Sequence, residues 1–190
     1  MNQRLANRIT SWSLGPEYDE ESDRFQIVSY GILLIIETVY KILILIILGA
    51  IFERMIETMA FLIGFCGLRR NAGGIHMKTS MGCMMSVIGL WLVCIFASCW
   101  HINLPVYVCL FLLTLLLVAW YAPCATVNNP IRSRSLRNKK RLYSIIYVMG
   151  ISIGGYIMGC IGYISIRKVL VCAMTVEALT IVHKKREEET

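Results

Sequence analysis

The run Ile27-Val28-Ser29-Tyr30-Gly31-Ile32-Leu33-Leu34-Ile35-Ile36-Glu37-Thr38-Val39-Tyr40-Lys41-Ile42-Leu43-Ile44-Leu45-Ile46-Ile47-Leu48 decides the fold class. A hydrocarbon core about 30 Å thick is crossed by roughly 20 apolar residues in a helix, because lipid offers nothing to bond a bare backbone. This run is long enough. Working outward, Ile51–Leu68, Met84–Trp100, Val106–Tyr121, Tyr143–Tyr163 and Val169–Val182 read the same way. With 57% hydrophobic and 16% charged residues, the chain cannot be an ordinary water-soluble domain. The expected fold is all-α, a single polytopic membrane domain over residues 1–190 with about six spans. The third, fourth and sixth segments are close to the minimum length and borrow flanking residues or meet a locally thin bilayer.

The stretch before the first span, residues 1–24, mixes Arg4 and Arg8 with Glu17, Asp19, Glu20, Glu21 and Asp23 and lacks the apolar core of a cleavable signal. It is expected to be cytoplasmic or interfacial, with Leu5, Ile9, Trp12 and Leu14 spaced for an amphipathic helix on the headgroups.

Most of the nineteen Lys and Arg residues fall on one side of the predicted spans. Arg4, Arg8 and Arg24, then Arg69, Arg70 and Lys78, then the run from Arg132 to Arg141, then Lys184, Lys185 and Arg186 share that side. By the positive-inside rule it is the cytoplasmic one, so both termini and the basic loop 122–142 face the cytoplasm. The net charge of +7 is thus mainly a topological signal. The basic loop anchors on anionic lipid or, with Arg69 and Arg70, steers an acidic partner. Nucleic acid is not expected as a partner, because no recognition fold accompanies the basic run.

Of the eight cysteines, Cys66, Cys94, Cys99, Cys109, Cys160 and Cys172 lie in apolar segments, where a thiol packs as a small hydrophobe. No Cys or His spacing matches a metal site, so neither a metal nor another cofactor is expected. Two thiols remain. Cys124 follows Tyr121-Ala122-Pro123 at a membrane boundary, and Cys83 follows the polar segment Arg69-Arg70-Asn71-Ala72-Gly73-Gly74-Ile75-His76-Met77-Lys78-Thr79-Ser80-Met81-Gly82.

Reactivity at Cys83 requires the thiolate, and an unperturbed cysteine titrates near pH 8.5, about 8.5 being the free-thiol value. Thr79 or Ser80 is a natural N-cap for the third span, which would set Cys83 in the first turn, where free amides and the helix dipole favour an anion. Ser80 also has a hydroxyl within local reach, although capping is the simpler role. His76 is the candidate base. On one straight helix it would sit about 10.5 Å along the axis from Cys83, too far for proton transfer. A chain break is therefore expected, with Gly73-Gly74 supplying the turn. Arg69, Arg70 and Lys78 would stabilise a thiolate or hold a substrate carboxylate. The plainer alternative is an interfacial histidine beside a buried thiol, with the three cations as membrane anchors. Glu37 and Lys41, four residues apart inside the first span, form an ion pair or contact substrate.

These residues resemble the accessory gene regulator B (AgrB) family of membrane peptidases in Gram-positive quorum sensing. The likeness rests on the Arg-Arg-x-x-x-Gly-x-His segment from Arg69 to His76, on Cys83, and on Tyr121-Ala122-Pro123 leading through Asn129-Pro130 into a basic stretch. It extends over nearly the whole chain. The resemblance implies a cysteine endopeptidase of the cell membrane whose site faces the cytoplasm. Its substrate would be a small AgrD-like precursor peptide with an acidic C-terminal tail, trimmed and cyclised to a thiolactone or lactone. By position Cys83 matches the nucleophile and His76 the base, while Arg69 and Gly74 match positions needed for activity. The competing classes are a small transporter or channel, against which stands the lack of an internal repeat, and a non-catalytic scaffold, for which a glycine-flanked His–Cys segment has no use. Gly150, Gly154, Gly155 and Gly159 suit close helix packing within the chain or across a homodimer.

Overall fold

The computed structural model describes residues 2–14, 22–73, 80–100, 102–124 and 133–189, with the side chains of residues 2 and 184–189 left aside. Among them are seven α-helices: α1 Asn2–Leu14, α2 Asp23–Ile51, α3 Met55–Ala72, α4 Ser80–Cys99, α5 Leu104–Tyr121, α6 Arg134–Cys160 and α7 Ile164–Glu189. The chain divides into two compact units, Met1–Leu48 and Gly49–Thr190.

In the first unit, α1 is tied to α2 by Ser29, whose hydroxyl donates to Asn7 Oδ1 at 2.6 Å. Ala6 and Thr10 are buried, while Leu5, Ile9 and Trp12 are exposed. The expected amphipathic helix is thus present, with an outward apolar stripe. On α2, Lys41 Nζ lies 3.5 Å from Glu37 Oε2, the ion pair expected from their spacing. Ile35, Val39, Leu43 and Ile47 of the same helix point outward.

In the second unit α7 is the central helix, and α3, α4, α5 and α6 all pack against it. Its Val169, Val171, Ala173, Met174, Ala178 and Ile181 are buried around much of its circumference. Leu68 and Ala72 of α3, Val118 of α5 and Val148 of α6 join Met174, Ala178 and Ile181 in one core. Polar side chains cross-link the helices. Thr114 and Thr175 share a 2.8 Å hydrogen bond. Tyr107 donates to the Ser152 carbonyl at 2.6 Å, and Trp91 Nε1 donates to Thr58 Oγ1 at 3.0 Å. Tyr147 reaches the Ile63 carbonyl at 2.6 Å, a crossing that Gly67 permits because any side chain there would collide with the Tyr147 ring. The tight reversal between α6 and α7 uses Gly162 at φ 110°, a conformation glycine adopts without steric cost.

Among the described residues four helices, α2, α4, α5 and α6, are long and apolar enough to cross a membrane. The other two expected spans are helical but differ in composition. Glu57, Arg69 and Arg70 lie in α3, and Arg167, Lys168 and Glu177 lie in α7. The sixth segment is also longer than its apolar stretch, since α7 runs to Glu189 on charged residues that hydropathy alone does not read as helix. All eight cysteines are among the described residues, and none of them is in a disulfide. Cys94 is buried, and Cys66 and Cys172 are partly so, as expected of packing residues. Cys99, Cys109 and Cys160 instead face outward, which corrects their expected role: an apolar segment in lipid exposes its hydrophobes, so membership of such a segment does not place a thiol in the core.

Candidate active site

Helix α3 ends at Ala72, and its last turn carries Arg69 and Arg70. Gly73 stops it at φ 78°, donating its N–H to the Arg69 carbonyl at 3.0 Å. A Cβ on Gly73 would lie 2.6 Å from the Cys124 carbonyl oxygen, so the close approach also selects glycine. Helix α3 therefore ends at the first of the two glycines expected to turn the chain. Gly74, His76, Lys78 and Thr79 lie outside the described residues, and so does the expected break between His76 and Cys83.

Where its description begins, α4 already includes Ser80 as a helical residue, so the capping residue falls outside the described residues as well. Cys83 is the fourth residue of the helix. On α4 the positions Cys83, Ser86, Val87 and Leu90 recur at helical spacing and form one face. They line a cavity of about 330 Å³ together with Gly89, with Arg69 of α3 and with Thr180 of α7. A Cβ on Gly89 would meet nothing within 4 Å, so a side chain there has room. Cys83 is 8% exposed. The Ser86 hydroxyl donates to the Gly82 carbonyl at 2.8 Å.

The charge in this cavity is organised from α7. Arg69 Nη1 stands 3.7 Å from Oε2 of Glu177, whose side chain is wholly buried while that of Arg69 is 20% exposed. The guanidinium also lies 5.5 Å from the centre of the Phe65 ring, a cation–π contact. Thr180 donates its hydroxyl to the Glu177 carbonyl at 2.8 Å and approaches Oε2 at 3.2 Å. Among the described residues Oε1 of Glu177 has no hydrogen-bond partner.

Sequence reasoning thus put Cys83 and Arg69 among the candidates, and the fold brings them to one cavity. It does not bring Arg70 there. Successive helical residues diverge by about 100°, and Arg70 lines a separate cavity of about 500 Å³ against Tyr143, Ile146 and Tyr147 of α6. Ser80 is exposed at the start of the helix. Cys124, the rival thiol, is packed in the core, its Sγ directed at the Ile181 carbonyl at 3.7 Å and its N–H bonded to the Ala72 carbonyl at 2.9 Å. Glu177 was missed. Its signal was available, since a carboxylate in the apolar stretch Val169–Val182 is costly and marks a function or a partner. Among the described residues no three His, Cys, Asp or Glu side chains form a group that could hold a metal ion.

Fold and cavity together define an all-helical protein of membrane character, in which a thiol and the arginine of an ion pair line one cleft. Comparison with known proteins gives the family: the Accessory gene regulator B profile matches residues 2–181, and the chain belongs to that family. An AgrB-like protein of Clostridium perfringens is 27% identical over 150 residues, 75% of this chain and 67% of that protein. Accessory gene regulator protein B of Staphylococcus haemolyticus is 28% identical over 152 residues, 76% and 78% of the two chains. Its counterpart in Staphylococcus aureus strain MRSA252 is 32% identical over 124 residues, 65% and 66% of the two. These matches therefore span about two thirds to just over three quarters of the relatives' own length. No solved structure matches the chain.

Proposed function

We propose that this protein is a membrane cysteine endopeptidase of a peptide quorum-sensing system. It would cleave the acidic tail from a small AgrD-like precursor and promote cyclisation of the remainder. Membership of the Accessory gene regulator B family supports the reading, and the observation that carries it is the convergence of Cys83 and Arg69 on one cavity. A peptide bound in that cavity would meet the Cys83 sulfur and the Arg69 guanidinium together.

In this mechanism the Cys83 thiol gives its proton to His76 and its sulfur attacks the carbonyl of the scissile peptide bond. The C–N bond then breaks, His76 returns the proton to the departing amine, and the tail leaves with the peptide held as a thioester. A thiol or hydroxyl within the retained peptide attacks that thioester. Its proton passes to the Cys83 sulfur, and a thiolactone or lactone is released. An intramolecular nucleophile held at the site has a large effective concentration, and a cleft shielded from water suppresses hydrolysis. Arg69 would hold a peptide carbonyl or carboxylate through charge-assisted hydrogen bonds. The Cys83 end of α4 would face the cytoplasm, where the basic loop 122–142 attracts the acidic tail.

The test is direct. Protein in lipid vesicles is mixed with a candidate precursor, a short peptide with an amphipathic start, a central cysteine or serine and an acidic tail, and products are followed by mass spectrometry. Wild type gives the freed tail and the cyclic product. Cys83→Ala and His76→Ala give neither, and persistence of cleavage in Cys83→Ala refutes the assignment.

A further inference from the structure

We infer that Glu177 is a positioning residue, which fixes Arg69 against the wall of the Cys83 cavity so that the cleft presents a permanent positive group to its ligand. The inference deepens the reading of Cys83 and Arg69 as site residues and rests on it. Three observations lead here. First, the Glu177 carboxylate is completely buried, and Arg69 forms an ion pair with it at 3.7 Å. Second, it projects from α7, the helix on which all the others in its unit pack, so the anchor belongs to the central element. Third, the pair is poorly built as a structural device. Oε1 lacks a hydrogen-bond partner among the described residues, and a buried carboxylate satisfied on one side alone is harder to maintain than an apolar core.

What the arrangement achieves is direction. Arginine has long side-chain freedom, and a guanidinium at the end of α3 would otherwise extend to water or headgroups. Glu177 draws it inward, Phe65 supports it from within α3, and Thr180 orients the carboxylate while itself lining the cavity. The partly exposed guanidinium then faces the same space as Cys83.

The experiment reads the charge beside Cys83 without depending on the peptidase reaction. Full-length protein in lipid vesicles is treated with an anionic reagent, sulfonatoethyl methanethiosulfonate, and with its cationic trimethylammonioethyl counterpart. Modification of Cys83 is followed by mass spectrometry, with Cys83→Ala as the blank. Both reagents need the thiolate, so the ratio of their rates cancels thiolate content and reports local potential. Wild type should favour the anionic reagent, and Arg69→Gln should lower the ratio by roughly fivefold or more. Glu177→Gln should lower it by a similar factor. That sign is diagnostic, since deleting a negative charge by itself raises the preference for an anion, and only a displaced Arg69 reverses it. Glu177→Asp should recover part of the ratio, and the Arg69→Gln/Glu177→Gln pair should match Arg69→Gln alone. Thr180→Val, which removes no charge, should give a smaller fall in the same direction and serves where Glu177→Gln does not accumulate. A ratio that is unchanged or raised in Glu177→Gln, or unchanged in Thr180→Val when that variant has to be used, overturns the inference. So does a double variant whose loss is the product of the two single losses. If cleavage survives in Cys83→Ala while these ratios behave as stated, the peptidase reading fails and the positioning of Arg69 stands.

Discussion

Cys83 and Cys124 are shielded almost equally, at 8% and 7% exposed, and they lie near the same level of α7. Thr180 faces the cavity of the first and Ile181 packs in the core with the second. One step along the helix, about 100° of rotation, separates a thiol that lines a cavity from one packed in the core. Burial therefore does not distinguish the two thiols. What differs is the occupant of the space beside each: a cavity of about 330 Å³ with a guanidinium on its wall for Cys83, and Leu68, Ala72, Val118 and Ile181 for Cys124.

The largest expected effect follows from that difference. Cys83→Ala should remove cleavage altogether, a loss of roughly a thousandfold or more in kcat/KM, as deletion of a nucleophile does. Cys124→Ala should leave kcat/KM within about threefold of wild type, since a substitution that only loosens packing leaves the reacting groups in place. Steady-state assays of the two variants side by side check it. A Cys124→Ala enzyme as dead as Cys83→Ala would move the nucleophile to the second thiol.

Next in size is the result of filling the space itself. Gly89 lines the Cys83 cavity, and a side chain there meets open room, so Gly89→Leu should occupy the cleft. We expect kcat/KM to fall by about tenfold or more through lost access, while the melting temperature holds or rises, because replacing a mid-helix glycine removes a cost of about 1 kcal/mol. Gly73→Ala makes the opposite change on the Cys124 side. Its φ of 78° with ψ of −173° is a glycine conformation, and the new Cβ would press on the Cys124 carbonyl. A destabilisation of about 2 kcal/mol is expected from the strained backbone alone. Thermal unfolding in detergent separates the pair: one variant loses activity and keeps stability, and the other loses stability.

The contrast also marks how far the sequence could be read. Among the described residues each of the six apolar runs falls mainly in a helix, because a long apolar run has one satisfactory backbone state in lipid, and four of those helices are long and apolar enough to cross a membrane. Hydropathy could not tell that α7, among the less apolar helices, would be the central one. Inside a bundle that presents its hydrophobes outward to lipid, the innermost helix is free to carry threonines and a carboxylate, so polarity in α7 signalled centrality. For the site, local spacing flagged Cys83 and Arg69 because both border one polar gap. Arg70 read the same in sequence, and only the rotation of α3 turned it toward α6. Glu177 lies more than a hundred residues from Arg69, and a pairing across that separation leaves no local pattern.

The smallest effect tests the comparison on stability alone. A side chain in a filled core loses both transfer energy and packing contacts when truncated, whereas one that already faces a cavity leaves fewer contacts to lose. Cys124 touches core residues and directs its sulfur to the Ile181 carbonyl, so Cys124→Ala should cost about 1 kcal/mol. Cys83→Ala, at the edge of an existing space, should cost about half of that or less. Denaturant unfolding of both variants in the same detergent measures the difference. Equal costs would mean that the space beside Cys83 is closed in the working protein, and the accessibility on which its reactivity depends would then have to come from movement of α4 against α7.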